Sequence, residues 1–289
     1  MNYGVASMTA PLRRVALRKP GVAMQQADVA TWHYGPSFDK DRVEFEHAAF
    51  TGLLEKKDVE VLWMDQDSDI ADAVFTYDAS LMTPGGAILM KPGKALRAGE
   101  QELHRNFYAQ QDIPVIGEIL GDGHAEAGDT LWLDEKTLAV GRGFRTNQAG
   151  IDQLTAQLAE FSIEVHAFDL PVYYGAAACL HLMSLASLVD SKVAAICKPL
   201  FPVGLYQLMQ SMGFSLIEIP YDEYEMSATL SGNILALAPA ECIMIDGFAQ
   251  TRKLLQEAGI NVQVFTGDAL CIGCEGGPTC MSRPIYRSQ

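Results

Sequence analysis

Apolar and polar positions along this chain switch between two periods, and the switch itself recurs. Stretches with apolar residues at helical spacing, such as Ile151, Leu154, Leu158 and Phe161, or Leu205, Leu208, Met209 and Met212, are each followed by a short apolar run of strand length. Those closing runs start near Val59, Ile113, Ile163, Leu216 and Val262, so the unit repeats about every fifty residues, five times over. Ahead of the helices, paired apolar runs flank turn signals at Pro84-Gly85-Gly86, Asp134-Glu135-Lys136, Asp190-Ser191-Lys192 and Pro239-Ala240-Glu241. Each unit therefore reads as strand, hairpin, strand, helix, strand. Asn147 is placed to cap one helix, and Gly259 to close the helix ending at Ala258. The run Ile163–Asp169 alternates only partly, as expected of a strand buried on both sides.

The first unit lacks a full opening piece. A basic-apolar strand over Arg13–Arg18 and a helix from about Asp41 to Glu55 lead straight into the Val59 strand. The C-terminal stretch from Cys271 to Ile285 carries the missing pattern, and laid beside the N-terminal strand it would close the units into a ring without exposed sheet edges. No linker or low-complexity segment interrupts the repeat. Residues 1–289 are therefore expected to form a single domain, an α/β, five-bladed α/β propeller of ββαβ repeats around a central hub.

Three lone polar residues stand at nearly one phase of the repeat. Asp78, Glu126 and His181 each lie about thirty-five residues ahead of the next closing strand. Ring closure would bring Cys280 to the same place, while in the fourth unit the phase falls near Ser227 and offers no obvious counterpart. A thiol beside an imidazole can act as a nucleophile, because the ring takes or returns the proton at each stage. Two carboxylates beside that thiol raise its pKa. Such a hub suits a substrate that is itself a cation. A guanidinium is planar and offers several N–H donors that two carboxylates can grip.

Composition narrows the partners. The hydrophobic fraction of 49% is ample for a core, and the formal charge of −15 repels nucleic acid while favouring a cationic small molecule. The N-terminus from Met1 to Pro11 has no apolar signal-like core, so a cytoplasmic location is expected. The most apolar stretch, Tyr173 to Val189, is broken by His181, Ser184 and Ser187, which argues against a membrane partner. The sequence leaves a homo-oligomer open. Six cysteines, at 179, 197, 242, 271, 274 and 280, are expected as free thiols. Cys271-Ile272-Gly273-Cys274 has no second pair at finger spacing, so no metal and no organic cofactor is expected. Trp32-His33-Tyr34-Gly35-Pro36 reads as a packed aromatic turn, and Asp129 either orients the hub or caps the next strand.

Six segments, in order, resemble a known group. They are Val74-Phe75-Thr76-Tyr77-Asp78, Lys91-Pro92-Gly93, Glu126-Ala127-Gly128-Asp129, Arg145-Thr146-Asn147-Gln148-Ala149-Gly150, His181-Leu182-Met183-Ser184 and Gly277-Pro278-Thr279-Cys280-Met281-Ser282. They look like the guanidino-modifying enzymes of the pentein fold, which include dimethylarginine dimethylaminohydrolases, arginine deiminases and amidinotransferases. The spacing is nearest to the first of these. The resemblance implies that Cys280 attacks the guanidinium carbon to give a thiouronium intermediate, and that His181 serves as general acid and base. It further implies that Asp78 and Glu126 bind guanidinium nitrogens, and that Arg97 and Arg145 hold the substrate carboxylate.

The implied activity is hydrolysis of an N-methylated arginine or close relative to citrulline and an amine. Amidino transfer, arginine deimination or dihydrolysis, and a non-catalytic ring protein are the alternatives. Two positions depart from the family pattern. Met183 stands where deiminases carry Asp, leaving room for an alkylated nitrogen, and Tyr77 stands where dimethylaminohydrolases often carry Glu.

Overall fold

The computed structural model describes residues 2–66, 68–176 and 180–288. Its second blade shows how each unit is built. β3 (Ser80–Thr83) turns through Pro84 and Gly85 into β4 (Gly86–Leu89), the helix Glu100–Gln110 crosses the sheet, and β5 (Val115–Glu118) returns parallel to β4. The same order recurs in β6 (Thr130–Asp134), β7 (Thr137–Arg142), helix Gln148–Ala159 and β8 (Glu164–Asp169). It recurs again in β9 (Ala186–Asp190), β10 (Val193–Ile196), helix Val203–Ser211 and β11 (Ser215–Glu218). The last full unit is β12 (Leu235–Ala238), β13 (Glu241–Ile245), helix Ala249–Glu257 and β14 (Asn261–Phe265).

The remaining blade joins the two ends of the chain. β15 (Arg283–Arg287) pairs antiparallel with β1 (Leu12–Leu17), and β1 pairs parallel with β2 (Glu60–Trp63) across the helix Val43–Glu55. The C-terminal stretch thus supplies the opening strand that the first unit lacks, and the five three-stranded sheets form a propeller-like α/β ring. Local signals act as expected. Asn147 accepts from the Gly150 backbone N–H at 2.9 Å and caps its helix. Gly259 takes φ +85°, the left-handed turn that closes the last long helix.

Burial falls from the ring's centre outward. β3 and β4 are buried at every position, whereas the third strand of each blade has neighbours in its sheet on one side only. This corrects the reading of Ile163–Asp169 as doubly buried. In β8, Glu164, Ala167 and Asp169 are exposed, because the strand is the outer edge of its sheet and pairs with β7 alone. The inner strands run between two ends of the ring. At one end the hairpin turns at Pro84, Asp134, Ser191 and Pro239 line a recess with the N-terminal segment. At the other end lie the loops that enter the inner strands, and these carry the hub residues. Among the described residues, no helix is long and apolar enough to cross a membrane.

Candidate active site

Each hub side chain sits just before the innermost strand of a blade: Asp78 before Ser80, Glu126 before Thr130, His181 before Ala186 and Cys280 before Arg283. Asp78 is buried. Its Oδ1 accepts from the Gly128 N–H at 2.9 Å and its Oδ2 from Arg97 Nη1 at 2.5 Å. Glu126 is fully buried. Its Oε1 accepts from the Gly93 N–H at 2.8 Å, and its Oε2 faces His181 Nε2 at 2.6 Å and Arg145 Nη1 at 3.1 Å. Cys280 is half-buried, with Sγ accepting from Asn233 Nδ2 at 3.2 Å. Asp78, His181, Cys280, Arg97 and Arg145 line one cavity of about 250 Å³. Glu126 stands behind His181.

Gly128 is what lets these groups meet. A Cβ there would sit 2.6 Å from Asp78 Oδ1 and 2.7 Å from His181 Nδ1, too close for any side chain. Asp129, buried next to it, accepts from the Leu182 N–H at 3.0 Å and from Thr146 Oγ1 at 2.6 Å. Thr146 Oγ1 in turn accepts from the Glu126 N–H at 3.1 Å. One carboxylate therefore ties the backbone beside His181 to the backbone of Glu126, which resolves the two readings of Asp129 in favour of orienting the hub.

The electrostatics follow from this crowding. Burial opposes a charge on His181, but Asp78, Glu126 and Asp129 outweigh it and lift the imidazole to about 9. Burial also opposes charge on Asp78 and Glu126, yet His181 and the neighbouring guanidinium groups hold both carboxyls below their ordinary range. Burial and the Asp78 charge push the Cys280 thiol up. At neutral pH these shifts favour an imidazolium at His181 and a protonated thiol at Cys280. Asp129, lacking a cation in direct contact among the described residues, is raised by burial to about 6.

The hub is less acidic than its sequence suggested. Arg97 is buried in a triad, bonded to Asp78, to Glu100 at 2.8 Å and to the Phe75 carbonyl at 2.9 Å. Asp72 also lines the cavity, bonded to Lys94 Nζ at 2.7 Å and Tyr34 Oη at 2.9 Å. Buried carboxylates require partners; Asp78, Asp72 and Glu126 each meet a cation, while Asp129 is held by the Leu182 N–H and the Thr146 hydroxyl. Ser227 does not reach the hub; its hydroxyl is used locally, on the Tyr224 carbonyl at 3.0 Å. The fourth-unit member is Asn233, two residues before β12. Counting from the inner strand, which every hub residue precedes, finds it. Counting back from the closing strand does not, because the stretch between Asn233 and β14 is shorter than the corresponding stretch in the other blades.

Tyr77 and Met183 line a separate small cavity that also touches Arg283 and the N-terminal segment. They lie behind the hub, and Phe75, Leu180, Tyr173 and Tyr174 supply the site's apolar wall. The aromatic turn is held by Tyr34 on Asp72 and by Lys94 Nζ stacked 5.5 Å from the Trp32 ring centroid. The described cysteines are free; Cys179 lies outside the described residues. Donor atoms of Asp78, Glu126 and His181 fall within 4.8 Å of one another, close enough to share a metal ion. An ion there would have to displace the His181 proton and face two guanidinium groups.

The family model described as arginine deiminase matches residues 68–200 and 189–287. The N(G),N(G)-dimethylarginine dimethylaminohydrolase of Pseudomonas aeruginosa is 28% identical over 243 residues, 82% of this chain and 86% of that one. The arginine deiminase of Mycobacterium avium is 27% identical over 260 residues, 75% of this chain and 61% of that one. Among solved structures, the Pseudomonas aeruginosa dimethylarginine dimethylaminohydrolase complexed with citrulline superposes with TM-score 0.77 and 23% identity, over 94% of this chain and 98% of that one. SxtG, an amidinotransferase from Microseira wollei, superposes with TM-score 0.83 and 14% identity, over 100% and 98%. These likenesses show the pentein fold.

Proposed function

The chain belongs to the arginine deiminase family, within the pentein superfamily, and from that premise we propose that it hydrolyses a C–N bond of a guanidino compound through a covalent Cys280 intermediate. The preferred substrate is an N-methylated arginine or a close relative. The observation that carries the reading is the convergence of Cys280, the His181–Glu126 pair and Asp78 on one cavity. The apolar wall of Phe75 and Leu180 gives an N-methyl group a place to sit, and a relative sharing 28% identity is a dimethylarginine dimethylaminohydrolase.

The incoming guanidinium brings N–H donors to Asp78 and Asp72, joining or replacing those of Arg97 and Lys94. Its charge beside Sγ lowers the thiol pKa, and the thiol proton passes to solvent. The Cys280 thiolate adds to the guanidinium carbon. His181, already an imidazolium, gives its proton to the departing amine as the C–N bond breaks, leaving a thiouronium on sulfur. Neutral His181 then takes a proton from water as that water attacks the same carbon. The C–S bond breaks, the ureido product leaves, and the thiolate is restored. Glu126 serves by holding His181 protonated and oriented. Arg145, whose side chain is 17% exposed at the cavity, takes the substrate carboxylate. Arg97 assists only if it leaves its buried triad.

The test is a panel of arginine, mono- and dimethylarginines and agmatine, read for ureido product, with mass spectrometry of the acid-quenched protein. Turnover of a methylated arginine with an adduct on Cys280, both abolished in Cys280→Ser, supports the reading. No ureido product from any of them overturns it. A new guanidino product formed only when an amine acceptor is supplied assigns amidino transfer instead.

A further inference from the structure

The scheme above leaves the donors around the reacting sulfur unused: Asn233 Nδ2 at 3.2 Å, the Gly277 backbone, and Thr279 Oγ1 further off at 4.0 Å. Asn233 is 4% exposed, and its Oδ1 accepts from the Thr279 backbone N–H at 3.0 Å and from Thr279 Oγ1 at 2.6 Å. A backbone N–H can only donate, so the amide cannot be turned round, and Nδ2 must face Cys280 Sγ, 3.2 Å away. Gly277 holds the amide from the other side: a Cβ there would lie 2.4 Å from Asn233 Cγ. The donor is therefore fixed in direction as well as in place.

Charged groups around the sulfur explain why a neutral donor belongs there. Asp78 faces it from the loop before β3, His181 from the loop before β9, and Cys271 from the turn Asp268–Ile272, while Arg97 and Arg145 share the cavity. Burial and Asp78 both disfavour a thiolate. A lysine or arginine in place of Asn233 would favour the thiolate but repel a cationic substrate and compete for the carboxylates. An amide N–H favours the thiolate over the thiol and adds no charge.

We propose that Asn233 is a further catalytic residue, an oriented neutral donor that stabilises the Cys280 thiolate without adding positive charge to a cavity meant for a cation. The proposal rests on the reading of Cys280 as nucleophile, and its test needs no substrate. Asn233→Asp keeps the acceptor for both Thr279 donors but replaces the N–H with a negative charge beside the sulfur; Asn233→Ala removes donor and acceptor without adding charge and is the deciding variant. The measurement is the pH dependence of iodoacetamide alkylation at Cys280, resolved from the other thiols by peptide mass spectrometry.

Both variants should raise the alkylation midpoint by about one to two pH units and slow alkylation at pH 7 by about three- to tenfold, since a less acidic thiolate is also intrinsically more nucleophilic. Thr279→Val, which keeps the Nδ2 donor, should leave the midpoint within a few tenths of a unit. An unchanged midpoint in folded Asn233→Ala overturns the proposal, and so does a Thr279→Val shift as large as that of the Asn233 variants, since the turn rather than the donor would then set the thiol. A shifted midpoint supports it whether or not methylated arginine is turned over, so the two readings can fail separately.

Discussion

Two histidines, His181 half-buried and His104 buried, feel the same carboxylate, Asp78, and are shifted in opposite directions. In the hub, His181 is lifted to about 9. In the layer behind β3, His104 on the helix Glu100–Gln110 is driven down to about 3. Burial works against the charged form at both sites. The neighbours decide: carboxylates of Asp78, Glu126 and Asp129 surround His181, whereas guanidinium groups of Arg283, Arg97 and Arg18 act on His104. His104 is left as a neutral packing residue, with Nδ1 2.9 Å from Ser80 Oγ, which also meets Tyr108 Oη at 2.6 Å. The ring thus separates a proton-holding face from a neutral one only a strand's thickness apart. Residue type alone says nothing about which is which.

The contrast can be broken from the hub side first. Glu126→Gln removes the carboxylate in direct contact with His181, so the imidazole should fall from about 9 toward its ordinary range, and kcat should drop about 10²- to 10⁴-fold. An NMR titration of the ring protons beside the pH–rate profile checks both. Gly128→Ala leaves every charge in place but puts a methyl between Asp78 and His181. A displacement of that size should cost about 100-fold in kcat with the fold retained by circular dichroism.

The pH dependence of stability sharpens the comparison. His181 has a folded pKa of about 9, above the ordinary 6.5, so its contribution is full below about 6.5 and is lost as pH rises through 9. His104 has a folded pKa of about 3, below 6.5, so its contribution is intact above 6.5 and is lost as pH falls toward 3. Melting temperatures from pH 4 to 9.5 should therefore show His104→Gln flattening the acid limb and His181→Gln flattening the alkaline limb, each by about a few degrees. The smallest effect belongs to the cysteine turn. Burial pushes the Cys271 and Cys274 thiols up, and no role is assigned to them. Cys274→Ser should change kcat less than about twofold, and iodoacetamide at neutral pH should label Cys280 ahead of either.

Much of the architecture was legible in the residues because it repeats. Turn residues at Pro84, Asp134, Asp190 and Pro239 and helical apolar spacing are local signals, and five copies reinforce one another. The ring closure was legible because β1 had no opening partner and the C-terminal stretch had no other use. Asp78, Glu126, His181 and Cys280 were legible as a phase, each standing just before an inner strand. Asn233 was missed because the stretch from it to its closing strand is shorter than in the other blades, and the exposure of β8 was missed because an apolar run does not say whether its sheet continues beyond it. Tyr77 and Met183 sit within two residues of hub positions in sequence yet line the cavity behind them, since Tyr77 lies in the turn before β3 and Met183 on the short helix Leu182–Leu185.

Sequence alone determined the repeat, the chain closure and the identity of the polar residues, because these depend on local spacing and on what each residue type can bury. Only the tertiary structure decided how charge is balanced: that Asp78 meets Arg97, that Glu126 spends its oxygens on His181 and Arg145, and that an asparagine N–H reaches the sulfur. Those pairings join residues 19 to 55 positions apart. Their energies depend on distances of a few ångströms in a desolvated space, which spacing along a chain does not encode.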